Sequence, residues 1–354
     1  MKKCIALLAA LVLLLTGCGS EAPATEPSTT AVTTAPTSTE PTGRAATKLV
    51  LLLPDAEALN WAEAGEDLKM LLENLYYQVE LLYADNDGWT QAEQMTAAIE
   101  NGADGIILAP VESATLTDAC QLAADSGIPI FSYDRLLMDT DAVSCYVSFD
   151  YEAIGAAIGE YIIVESGLDN LDAGQVLTAE FFMGSPEDSK ALLFYNGLMS
   201  QLLPYLQQGA LVTRSGRSAF EDTCIVDWDT DALQETLSMY LKEYYKGSAP
   251  DIICTADDLF ADICATTVME TNPDKFPMIS GLGGTDDSIS RLESGTMAVS
   301  ASLDLLALNE QLVKTVDDVM TGKTPEMNNT TSCFNNVIAV PAYLCEYQLL
   351  TGPE

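Results

Sequence analysis

The chain has 354 residues, of which 15 are Lys or Arg, 53 are Asp or Glu and none is His, for a formal net charge of -38. A surface this acidic argues against nucleic acid as a partner, since phosphate binding needs basic patches. The absence of histidine removes the commonest general base, the Ser-His-Asp and Cys-His arrangements and most catalytic zinc sites, leaving carboxylates, lysine or tyrosine for any catalysis.

In chain order, Lys2 and Lys3 open a short cationic start, followed by an apolar run from Ile5 to Leu15 that is too short to span a bilayer. Leu15-Thr16-Gly17-Cys18 resembles the lipobox of a bacterial lipoprotein signal. The resemblance implies removal of residues 1–17 as a signal peptide, Cys18 as the mature amino terminus carrying a diacylglyceryl group and a palmitate-type chain, and anchoring at the extracytoplasmic face of the cell membrane. Two or more acyl chains hold stably where one does not.

Residues 18–48 are dominated by Thr, Pro, Ala, Ser and Glu. With no apolar face to bury, such a composition does not repay the entropy of ordering and reads as an extended tether. At no more than about 3.3 Å per residue it reaches tens of ångströms.

From Leu49 onward the chain alternates buried β-rich runs with amphipathic helices. KLVLLLP (48–54) precedes Trp61, Gly65, Leu68, Leu72 and Leu75 at helical spacing, and QVELLYAD (78–85) precedes Ala92, Met95 and Ile99. GIILAP (105–110) leads to Leu116, Ala119, Cys120 and Ala123, with Gly127 closing the helix before IPIFSYD (128–134). After CYVSFD (145–150) the pattern restarts: Ile154, Ile158 and Ile162; QVLTAEFFMG (175–184); Leu198 and Leu202; ALVTRSG; Leu233, Leu237, Tyr240 and Tyr244; DIICTAD (251–257); and FPMISGL (276–282). The pattern predicts an α/β fold of two doubly wound parallel-sheet lobes, with ligands bound beyond the carboxyl ends of the strands in the cleft between them.

Nine cysteines occur in the whole chain. With Cys4 in the signal and Cys18 at the lipobox, Cys120, Cys145, Cys224, Cys254, Cys264, Cys333 and Cys345 remain; no CxxC occurs. Most sit in apolar patterns as small buried hydrophobes, and the sequence leaves open whether any two pair.

The strand ends carry Ser132-Tyr133-Asp134-Arg135, Phe149-Asp150-Tyr151, Gly184-Ser185-Pro186-Glu187-Asp188 and Thr255-Ala256-Asp257-Asp258. Together with YADND (83–87), SGIPIFSYDRL (126–136), GSPEDSKALLFYNGLM (184–199), LPYLQQGALVTRSG (203–216), WDTDALQ (228–234) and NNVIAVPAYL (335–344), they resemble the sugar-binding lipoproteins of ABC transporters with the type I periplasmic-binding-protein fold, in the xylose and multiple-monosaccharide branch. The resemblance implies two lobes joined by three crossovers: 49–150 with 304–334, and 151–303 with 335–354. It also implies a monomer that closes on a carbohydrate-like ligand and delivers it to ABC permease subunits, with no cofactor, no metal and no enzymatic activity. A ligand sensor or adhesin of the same fold is the alternative.

A pyranose offers apolar faces that stack on aromatic rings and hydroxyls that take multidentate polar partners. The resemblance places Trp61 and Trp228 near the cleft as ring faces, Asp134 as an acceptor, Arg135 as a forked donor, and Tyr151, Lys190, Asp257 and Asp258 among the ligand contacts. Against the family pattern, Glu57 stands where an arginine is usual, Tyr151 follows Phe-Asp in place of asparagine, and Lys190 and Asp257 replace asparagines. Gly283 stands in place of a carboxylate, and Leu303 in place of a hinge lysine. The solute is therefore not carried over from the family.

Asp227, Asp229 and Asp231 alternate like the start of a calcium loop, but Ala232 stands at the turn glycine and Ser238 at the bidentate glutamate. Gly281-Leu282-Gly283-Gly284 lacks the lysine of a phosphate loop. Asp134 with Asp257 or Asp258 has the residue types of a glycosidase pair, a reading that the strand-end position does not distinguish from hydroxyl binding.

Overall fold

The computed structural model describes residues 46–352 apart from 272. The signal, Cys18 and most of the tether lie outside the described residues. No helix among the described residues is long and apolar enough to cross a membrane.

The first lobe is built on β1 (Lys48–Leu53), β2 (Gln78–Tyr83), β3 (Gly105–Leu108), β4 (Ile130–Tyr133) and β5 (Val143–Phe149), with α1 (Leu59–Asn74), α2 (Gly88–Glu100) and α3 (Thr117–Asp125) between successive strands. Leu49 to Leu53 are wholly buried. A strand apolar on both faces has to sit mid-sheet under helices on either side, and β1 pairs in parallel with both β2 and β3.

The second lobe repeats the plan. It uses β6 (Leu177–Phe182), β7 (Leu211–Val212), β8 (Ile252–Thr255), β9 (Met278–Gly283) and β10 (Val299–Leu303). Its principal helices are α4 (Tyr151–Ser166), α5 (Ser189–Gln208), α7 (Thr230–Glu243), α8 (Asp258–Thr271) and α9 (Asp286–Ser294), with a single turn, α6 (Phe220–Thr223), ahead of α7. α10 (Leu305–Met320), β11 (Ala342–Cys345) and β12 (Tyr347–Thr351) complete the chain. The sheet orders are β11-β5-β4-β3-β1-β2 and β12-β10-β9-β8-β6-β7.

The chain passes between lobes three times, at 149–151, 303–305 and 345–347. The first two passages are followed by helices whose first turns are capped by Asp150, accepting from the Ala153 N–H, and Asp304, accepting from the Ala307 N–H. The tail divides differently from the expected assignment of 335–354 to the second lobe. β11 pairs in parallel with β5 in the first sheet, and only β12 joins the second, antiparallel to β10. The cause is long-range packing: Val340 and Ala342 are buried in the first lobe, and the Asn335 side-chain amide donates to the carbonyls of Leu137 and Thr140 at 3.0 and 2.7 Å.

α4 and α5 pack backbone to backbone. A Cβ on Gly197 would lie 1.9 Å from the Glu152 carbonyl oxygen and one on Gly155 2.1 Å from that of Phe194. Only glycine permits this approach, which fixes the helix following the first crossover against the helix that carries Lys190.

Candidate ligand-binding cleft

A cleft of about 350 Å³ opens where the carboxyl ends of the two sheets face each other, at the small end of the range for ligand pockets. Trp61, on α1, lines it from the first lobe, and Trp228, between α6 and α7, lines it from the second. Trp61 is 5% exposed and packs edge-on against Tyr133. Trp228 lies over Gly184, where a Cβ would come within 2.0 Å of the indole, and its ring centroid is 5.2 Å from that of Phe260.

At the end of β4, Asp134 takes a left-handed conformation, φ 58°. For a residue other than glycine such a conformation persists only where the surroundings over-determine it. The Tyr146 and Ser148 hydroxyls both donate to its carbonyl, and the Asp134 N–H donates to Val147 O. The turn separates the two side chains expected to act together. Arg135 faces the cleft, whereas Asp134 does not line it. Its carboxylate turns to the first crossover, accepts from the Tyr151 hydroxyl and lies 3.3 Å from Lys190 Nζ. Tyr151, 2% exposed, likewise stands behind the cleft. Burial raises its phenol well above the ordinary value, and the Asp134 charge adds to that.

Arg135 is held at three points. Its Nη2 is 2.8 Å from Asp188 Oδ2 on the opposite lobe, its Nη1 donates to Pro110 O, and its guanidinium lies over Trp61 at 5.2 Å. Asp188 also caps α5, accepting from the Lys190 N–H, and the adjacent Ser189 hydroxyl accepts from the Leu136 N–H across the lobes. Arg135 is only 7% exposed, and its Nε has no acceptor. The indole N–H of Trp228 is also buried without one. Both residues line the cleft, but these two nitrogens are shut off from solvent.

The Lys190 ammonium lies 5.6 Å from the Trp61 ring centroid and 5.9 Å from that of Trp228. Burial pulls its pKa down, but the charges of Asp134, Asp188 and Asp257 outweigh that and leave it raised. Asp257 lines the cleft, accepts from the Leu259 N–H at 2.7 Å and has its carboxyl pKa raised by burial, against the opposing pull of Lys190.

Asp258 does not line the cleft. It is 3% exposed and takes up the space left by Gly281 and Gly283, accepting from the Gly284 and Thr285 N–H groups and the Ser300 hydroxyl. Its role is to tie the end of β9 to α8 and β10, so the carboxylate pairings with Asp134 do not meet in the cleft. Glu57 is exposed outside it, and Leu303 is half-buried at the second crossover.

The cleft also gathers Asp55, Asn86, Glu112 and Asp227, which the sequence reading did not assign to it. Asp55, Asn86 and Glu112 follow β1, β2 and β3 by two to four residues, so the strand-end rule applied to the first three strands would have found them. Asp227 belongs to the wall of this cleft.

Residues 50–324 match the family model described as a periplasmic binding protein domain. The chain is 29% identical over 298 residues to the multiple sugar-binding periplasmic receptor ChvE of Rhizobium radiobacter, covering 83% of this chain and 84% of that one. It is 22% identical over 298 residues to the D-xylose-binding periplasmic protein of Escherichia coli K12, covering 84% of each. An ABC transporter solute-binding protein from Clostridium phytofermentans, solved with bound β-D-glucose, superimposes with a TM-score of 0.81 at 31% identity, over 86% of this chain and 94% of that one.

Proposed function

The chain belongs to the periplasmic binding protein domain family, and from that premise we propose that it is an extracytoplasmic solute-binding protein that captures a carbohydrate between its lobes and delivers it to an ABC permease. One observation carries the reading: two tryptophans on opposite lobes line a single cleft together with the polar side chains of Arg135, Lys190 and Asp257. Aromatic rings beside charged and polar side chains fit a pyranose. The glucose-bound relative from Clostridium phytofermentans supports the ligand class.

Closure is a hinge motion at the three crossovers, with Arg135, Asp188, Ser189 and Leu136 forming the interlobe contacts. Of the expected ligand contacts, Trp61, Arg135, Lys190, Trp228 and Asp257 touch the sugar. Asp134 and Tyr151 act through Lys190, and Asp258 supports the wall. The protein works as a monomer without enzymatic activity, held to the membrane through Cys18, so that the tether keeps the cleft within reach of the permease.

The test is a thermal-shift panel over pentoses, hexoses, amino sugars, polyols and short oligosaccharides. A ligand at a hundred times its Kd stabilises the folded state by about 2.7 kcal/mol, which a melting curve resolves. A selective rise for one sugar class supports the reading; a flat response across the panel overturns it. Mass spectrometry of the mature amino terminus, with Cys18→Ala as control, tests the anchor.

A further inference from the structure

The charges facing the cleft do not balance. Six carboxylates line it, those of Asp55, Glu112, Glu187, Asp188, Asp227 and Asp257, against two cations, Arg135 and Lys190. Both cations already have partners: Arg135 is paired with Asp188, and Lys190 with Asp134 behind the wall. Among the described residues no Lys or Arg lies within ion-pair distance of the remaining five. Asp55 has only neutral donors, the Glu57 N–H and the Asn86 amide, and Asp257 has the backbone N–H of Leu259. Asp257 is half-buried beside the aromatic walls, where a carboxylate opposed only by the Lys190 charge, itself shared with Asp134, is costly.

We propose that the ligand is an amino sugar, a polyhydroxylated ring carrying an ammonium group that Asp257 and the carboxylates at the cleft mouth receive. The inference rests on the carbohydrate reading above. The ring and hydroxyls of such a ligand meet the two tryptophans and the polar side chains of the wall, which an ammonium alone does not. Its positive charge meets the carboxylate excess, which a neutral sugar leaves standing and an anionic sugar worsens. Arg135 and Lys190 do not oppose it strongly, because each is matched by a carboxylate within 3.3 Å.

The test is calorimetric titration of the protein at neutral pH with glucosamine, galactosamine and mannosamine, each beside its neutral parent hexose, and with glucuronate. At least one amino sugar binds about tenfold or more tightly than its parent, the discrimination expected of one charged hydrogen bond, and glucuronate binds least. In Asp257→Asn that preference, read as the ratio of amino-sugar to parent-hexose affinity in the same variant, falls below about threefold. Should the variant not fold, the ranking on the unaltered protein decides alone. A neutral hexose binding as tightly as every amino sugar overturns this inference and leaves the carbohydrate reading intact. Silence from all the sugars overturns both.

Discussion

Arg135 Nη2 and Asp188 Oδ2 meet at 2.8 Å between the two lobes, with the side chains 8% and 1% exposed. A pair this buried repays its desolvation only while both members are present, and removing one partner typically costs about 3–5 kcal/mol. Asp188→Asn keeps a residue type that caps helices well but leaves the guanidinium unpaired. The expected outcome is a lower melting temperature together with weaker ligand binding. A mutant that melts and binds like the parent would show that the pair carries neither closure nor stability.

Asp257 makes the opposite prediction. Burial raises its carboxyl above the ordinary carboxylate value, so the folded state holds that proton more tightly than the unfolded chain does. Its ionisation therefore costs stability at neutral pH. The cost is relieved as pH falls through the raised folded value and is gone below the ordinary carboxylate range. Asp257→Asn should melt higher than the parent at pH 7 and converge with it in acid, as thermal denaturation at several pH values would show. Stabilisation that persisted in acid would assign the effect to packing instead.

The glycine contact between α4 and α5 is testable without touching the cleft. Gly197→Ala drives a methyl toward the Glu152 carbonyl oxygen, a backbone atom that cannot rotate away. Overpacking of this kind costs about 1–3 kcal/mol. Chemical denaturation should show a loss in that range, and an unchanged midpoint would mean that the helices slide freely.

All seven described cysteines are free. Burial pushes the Cys120, Cys224 and Cys254 thiols up to about 12, those of Cys145, Cys333 and Cys345 up to about 11, and Cys264 further still. Since the thiolate is the reactive form, the folded protein should resist a maleimide at pH 7 and label at all seven sites in denaturant. Rapid labelling of Cys120 in the folded state would contradict the buried placement.

The wholly buried strands and spaced helices made the two lobes legible, because Leu49 to Leu53 or Ile154, Ile158 and Ile162 have only one environment that suits them. The tail was not legible. β10 is Val-Ser-Ala-Ser-Leu, too polar to announce a strand, and the assignment of β11 and β12 to different sheets depends on long-range bonds from Asn335. At the site, the family resemblance pointed to Trp61, Arg135, Lys190, Trp228 and Asp257, and these five line the cleft. It did not show that the left-handed turn at 134 aims one carboxylate at Tyr151, or that Asp258 fills the space beside two glycines, since both facts are orientations that adjacency in sequence does not encode.

The central claim is one carbohydrate held between Trp61 and Trp228. Its most direct test is calorimetric titration of the full sugar panel against the parent protein, Trp61→Ala and Trp228→Ala, with folding of the variants checked by circular dichroism. The account predicts saturable binding of one sugar class at one site per chain, weakened in each folded variant by about tenfold or more, the scale of a lost aromatic face. Binding that survives both substitutions unchanged, or the absence of any sugar that binds, would contradict it.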